Sequence, residues 1–223
     1  MLLQPAQRQK LDSGNDREFY SVPRFVTHVD DGFIDRLTSL YRDRLIPNTR
    51  IFDMMSSWVS HLPDELAFEY VQGHGLNAEE LAKNPKFDNY FVQNLNQDLQ
   101  LPLEDSSFDA VLNTVSVQYL QYPEAIFQEV YRILKPNGIA IFSFSNRMFY
   151  NKAIAAWRDE SESDRVELVK GYFKSVAGFS SPEVVSQISN TPDLLRLLGM
   201  GGGDPFYAVI ARKEGDATLR QAQ

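Results

Sequence analysis

The stretch LPLEDSSFDAVLNTVSVQYLQYPEAIFQEVYRILKPNGIAIFSFSNR, residues 101–147, decides the fold. Within it, FDAVLNTVSV is continuously apolar over the length of one strand, the pattern of a strand buried on both faces as parallel sheets require. YPEAIFQEVYRILKPNG then places Ile126, Phe127, Val130, Tyr131 and Leu134 at helical spacing, with Pro123 in the first turn and Gly138 as the exit. IAIFSFSN reads as a further buried strand. Strand, helix and strand in that order make a βαβ unit with a right-handed crossover.

The flanking sequence extends the alternation. Upstream, DDGFIDRLTSLYRDRLIP predicts a helix capped by Asp30 or Asp31 and stopped by Pro47, and RIFDM predicts a short strand. A short helix is expected around His61 to Leu66, a second strand in AFEYVQGHG, a helix capped by Asn77 in NAEELAKNP, and a third strand in FDNYFVQNL. Downstream of Asn146 the chain turns helical and charged to about Phe179. SPEVVSQI predicts another short helix, and MGGGDPFYAVIARK predicts a flexible glycine run before a last strand, Phe206 to Arg212. The expected organisation is one domain, residues 30–213, with a mobile N-terminal segment or lid over 1–29 and a solvated tail over 214–223. The fold class is α/β, a Rossmann-like, doubly wound, mainly parallel sheet.

Composition narrows the function. The chain has 223 residues, a formal net charge of −8 and no cysteine. Broad binding of nucleic acid or anionic membrane needs clustered Lys and Arg, so neither partner is expected. Disulfides, thiolate nucleophiles and zinc thiolate sites are excluded, and a reducing, cytoplasmic location is expected. His28, His61 and His74 show no ligand spacing, so no metal is expected. No run approaches 18 apolar residues, as a membrane span would need.

The block from Leu101 to Arg147, with its Leu-Pro loop, Asp-containing strand, helix ending Arg-x-Leu-Lys-Pro-x-Gly and following strand, resembles the class I S-adenosylmethionine-dependent methyltransferases of the small-molecule, type 11 kind. The resemblance covers about 160 residues from Arg50 onward. It implies seven strands with the last antiparallel, S-adenosylmethionine as cofactor and a small-molecule methyl acceptor. It also brings a rival, a catalytically inactive methyltransferase-like module that acts through interaction or regulation.

Two of the family's cofactor motifs are altered. The turn after the first strand, read as Asp-x-Gly-x-Gly in the family, aligns on Asp53 and puts Met55 and Ser57 at the glycine positions. A Cβ at positive φ costs on the order of 1 kcal/mol, so a differently shaped turn is expected, with the Ser56 and Ser57 hydroxyls as substitute donors to a carboxylate. Where the family ends its second strand with an acid for the ribose hydroxyls, this chain has Gly75, with His74 and Asn77 nearby as hydrogen-bonding groups. After the third strand, Asn94 with Leu95, or Asp98, would meet the adenine. Asn113 is placed at the end of the fourth strand, also on the cofactor side. Ser116 and Gln118 beyond that strand, and Arg147 and Tyr150 beyond the fifth, are the candidates to face the reacting groups. The aromatic and basic stretch Arg17 to His28 is read either as a lid over the mouth or as docking outside the sheet.

Overall fold

The computed structural model describes residues 2–187 and 203–215. Among the described residues, seven strands form one sheet: β1 (Arg50–Asp53), β2 (Tyr70–Gly75), β3 (Asn89–Val92), β4 (Phe108–Thr114), β5 (Leu134–Phe144), β6 (Glu183–Gln187) and β7 (Phe206–Arg212). Their order is β3-β2-β1-β4-β5-β7-β6. The pairings among β1 to β5 are parallel, and β7 runs antiparallel to both β5 and β6. The chain winds outward from β1 through β2 to β3, then returns to the other side of β1 at β4. That reversal opens a crevice beyond the carboxyl ends of β1 and β4, where open α/β sheets bind ligands.

Helices cover both faces. The helices are α1 (Asp16–Phe19), α2 (Asp31–Arg44), α3 (Ala78–Ala82), α4 (Pro123–Ile133), α5 (Ala155–Arg158) and α6 (Glu162–Lys174). On one face Phe33, Leu37, Leu40 and Tyr41 of α2 pack with Ile51, Leu112, Ile141 and Phe206. On the other, Phe127 of α4 is sealed between Phe142 of β5, ring centroids 4.5 Å apart, and Phe173 of α6 at 4.8 Å. The α2 cap is Asp30, whose Oδ1 accepts from Phe33 N at 2.8 Å, and Asn77 caps α3 as expected.

Three local expectations fail. SPEVVSQI is not helical: Glu183–Gln187 forms edge strand β6, with Val184 opposite Val209 of β7. Two adjacent β-branched residues fit either period, and the free edge of β7 selected the strand. Residues 61–66 form turns without a helix. The helix expected to run on to Gly138 stops at Ile133, because Leu134 already pairs with Phe108 as the first residue of β5. Most of the glycine run, and residues 216–223 of the expected tail, lie outside the described residues.

The N-terminal segment read as mobile makes specific contacts with the domain. Leu3 is buried, Arg8 Nη2 pairs with Glu124 Oε1 at 2.6 Å, and the fully enclosed Lys152 ammonium meets Asp12 at 3.0 Å and Asp16 at 3.3 Å.

Phe127→Ala removes the ring joining α4, α6 and β5. We expect it to lower unfolding free energy by about 3–5 kcal/mol, read as a lower denaturant midpoint at unchanged slope.

Candidate functional site

The turn after β1 is built around His74 of β2. Met54 N continues the ladder to Leu112 O at 2.8 Å. Met55 then takes φ 56°, the left-handed conformation that glycine normally supplies. The expectation of a differently shaped turn fails at this residue, which keeps the conformation and bears the cost. Met55 N donates to His74 Nδ1 at 3.0 Å, and Ser56 N donates to His74 O at 2.7 Å. Because Nδ1 accepts, the ring proton sits on Nε2 and is donated to Gln93 O at 3.0 Å. Burial pushes the imidazole down to about 4, against the opposing pull of the Gln93 carbonyl, so it is neutral at pH 7.

This clamp explains the second altered motif. A Cβ on residue 75 would lie 2.5 Å from Ser56 O, well inside contact distance. With the turn drawn onto β2, only glycine fits at 75. The two departures from the family pattern are therefore one structural change. The Ser56 hydroxyl is used inside the turn, donating to Asp53 Oδ2 at 2.7 Å. Burial raises Asp53 from its ordinary 3.8 to about 7, while the hydroxyls of Ser60 and Ser56 pull it down.

A cavity of about 270 Å³ opens over these strand ends. Asp53, Met55, Ser56, Ser57, His74, Gly75, Asn77, Asn94, Leu95, Ser116 and Arg147 all line it, so most of the residues named from sequence meet there. Several are already engaged: both His74 nitrogens are taken, and Asn77 caps α3 through Oδ1 while its Nδ2 donates to Tyr20 O at 2.8 Å. Asn94 Oδ1 accepts from Asn96 N at 3.0 Å. The Ser116 hydroxyl is buried without a partner.

Four residues lie elsewhere. Asp98 lines a second pocket with Gln97 and Pro102, because the chain turns away after Asn94. Asn113 is fully buried beneath the turn, donating to Met54 O at 3.1 Å. Gln118 supports the wall from behind, donating to Val115 O at 2.8 Å. Tyr150 is 54% exposed beside Arg158.

Val115 stands at φ 44°, an outlier for a β-branched residue, and His61 at φ 53°. Both line the cavity, as does Met55. Three of the six non-glycine residues at positive φ among the described residues thus line this cavity, and backbone strain of this kind is found at functional sites.

The opposite wall is the N-terminal segment, including Lys10, Asp16, Tyr20, Arg24 and His28, which lies across the mouth with Met148 and Phe149. Glu80 of α3 also lines the cavity and accepts from Arg24 N at 2.7 Å. Sequence reading singled out the aromatic and basic stretch Arg17 to His28 but not these individual roles. They depend on docking to Asn77 and Glu80, more than fifty residues away.

Two outcomes follow from this geometry. Unfolded Asp53 titrates near pH 4 and the folded group near 7, so between those values the native state holds a proton that the unfolded state lacks. Stability then falls as pH rises through that window and levels off above it. Asp53→Asn should flatten this slope, gaining on the unsubstituted chain by on the order of 2–4 kcal/mol from pH 4 to pH 8 in denaturant titrations; a constant offset between the two proteins would contradict it. Gly75→Asp, which restores the family's acid, should destabilise by about 1–3 kcal/mol through overpacking on Ser56 O. A thermal melt as high as that of the parent chain would refute the clamp.

Comparison with known proteins agrees with the architecture. Residues 61–142 match the family model of a type 11 methyltransferase domain. A malonyl-[acyl-carrier protein] O-methyltransferase of Marinomonas sp. is 29% identical over 120 residues, 54% of this chain and 43% of that protein, so the match spans less than half the length of that relative. An S-adenosylmethionine-dependent methyltransferase from Mesorhizobium loti shares the fold with a TM-score of 0.51 at 18% identity, over 78% of this chain and 96% of that one. The [4+2]-cyclase SpnF does so with a TM-score of 0.57 at 17% identity, over 81% and 82%. The domain match runs from the strained turn at His61 into β5, and over those residues the chain is similar to a methyltransferase domain, with a sheet of the fold that the two solved structures share.

Proposed function

We propose that the chain binds S-adenosylmethionine in this cavity and transfers its methyl group to a small molecule in the cytoplasm. The observation that carries the reading is the convergence of strand ends at the switch point between β1 and β4, under a wall that includes strained Met55 and Val115. The residues present fit such a ligand: the Ser116 hydroxyl is a buried polar atom without a partner, and it lines the same cavity. Asn94 and Leu95 at the end of β3 would hold the adenine. The turn from Asp53 to Ser57 and the end of β2 would border the ribose and the amino-acid portion. Bound there, the cofactor supplies a methyl group on a sulfonium sulfur.

The protein's part is positioning and exclusion of water. An in-line approach of the acceptor needs orientation more than proton transfer, in keeping with a sequence that shows no catalytic dyad. Residues 10–29 cross the mouth, and Tyr20, Tyr119 and Phe149 supply aromatic walls. The Marinomonas relative is an O-methyltransferase, which favours an oxygen acceptor. The net charge of −8 disfavours a nucleic-acid substrate. Among the described residues no helix is long and apolar enough to cross a membrane.

A second reading, a methyltransferase-like fold that acts through interaction without catalysis, is favoured by one observation. The amides of Met55 and Ser56 are both spent on His74. Calorimetric titration separates the two: we expect saturable heat with S-adenosylmethionine and S-adenosylhomocysteine at micromolar concentrations. Silence with both up to millimolar ligand would reject the enzyme reading in favour of the second.

A further inference from the structure

Arg24 lies in the segment that crosses the cavity mouth. Its guanidinium carbon sits 4.8 Å from the ring centroid of Phe19, 5.6 Å from that of Tyr20 and 5.4 Å from that of Phe149. Nη2 donates to Phe19 O at 2.9 Å, whereas Nη1 is sealed from solvent with no hydrogen-bond partner. The backbone around it is fixed, since Arg24 N donates to Glu80 Oε1 and Asn77 donates to the carbonyls of Tyr20 and Ser21.

The other cations lining the cavity are committed. Lys10 Nζ is 2.7 Å from Asp16, and Arg147 Nε is 2.7 Å from Asp204 with 63% of its side chain in solvent. A guanidinium stays charged in any surroundings, and a buried N–H without an acceptor is costly, so Arg24 is built to receive an anion. Across the cavity, the amides of Met55 and Ser56 are closed to a ligand because His74 holds them.

We infer that Arg24 Nη1 binds the carboxylate of the cofactor's amino-acid portion, moving that recognition from the strand-end turn to the N-terminal segment. The inference rests on the reading that this cavity binds S-adenosylmethionine. Planar, bidentate recognition of a carboxylate is what a guanidinium held among aromatic rings performs best.

The test compares S-adenosylhomocysteine with 5′-methylthioadenosine, which keeps the adenosine and lacks the amino acid. Calorimetry on the full chain and on Arg24→Ala and Arg24→Lys should show S-adenosylhomocysteine weakened about tenfold to a hundredfold by Arg24→Ala. Methylthioadenosine should be unchanged, and Arg24→Lys should fall between. Equal weakening of both ligands would mean that Arg24 only holds the wall in shape, and would overturn the inference. So would no weakening of either, the result expected if Arg24 serves the carboxylate of an acidic acceptor instead. Failure of the cofactor reading itself looks different: the unsubstituted chain would bind neither ligand.

Discussion

The neutral imidazole of His74 is the interaction on which the rest of the site depends. One ring nitrogen receives the Met55 amide, the other donates to the Gln93 carbonyl, and the residue's own carbonyl receives the Ser56 amide. Three strand ends are tied through one residue. The tie works only while the ring is uncharged, since a proton on Nδ1 would face the Met55 N–H. The apolar surroundings that depress its basicity, Phe52 and Phe91 among them, belong to the same device. The left-handed Met55 and the bare backbone at Gly75 follow from this tie.

The strand, helix and strand of residues 101–147 were legible because strands buried on both faces have no polar face to confuse the period. The edge was less legible. Five residues around Val184 and Val185 fit two periods, and what decided was β7, a partner that local sequence does not reveal. Most of the cavity was legible for a similar reason: once the strands are located, their carboxyl ends follow. Errors came where a side chain's direction turns on one step of backbone. Asn113 faces under the turn, Gln118 faces the Val115 carbonyl, and Asp98 lies past a bend. Arg24 and Glu80 were out of reach because the N-terminal segment shows neither period, and its place is set by polar contacts at distant positions.

The docked segment is held by ion pairs: Arg8 with Glu124, Lys10 with Asp16, and Lys152 with Asp12 and Asp16. Lys152 is 1% exposed, and it is tolerated because the carboxylates of Asp12 and Asp16 and the carbonyls of Asp12 and Gly14 surround it. A buried ion pair of this kind adds little net stability but is costly to break on one side. It serves to fix where the segment lies over the mouth.

The anchors of that segment span long stretches of chain: 57 residues from Tyr20 to Asn77, 116 from Arg8 to Glu124, and 138 from Gly14 to Lys152. On the ribosome, residues 3–24 emerge before every one of these partners, and the Lys152 side chain becomes available only after β5 has been made. Loop-closure entropy sets such contacts late in folding. The wall over the strand ends is thus translated before every residue that anchors it, from Asn77 and Glu80 to Lys152.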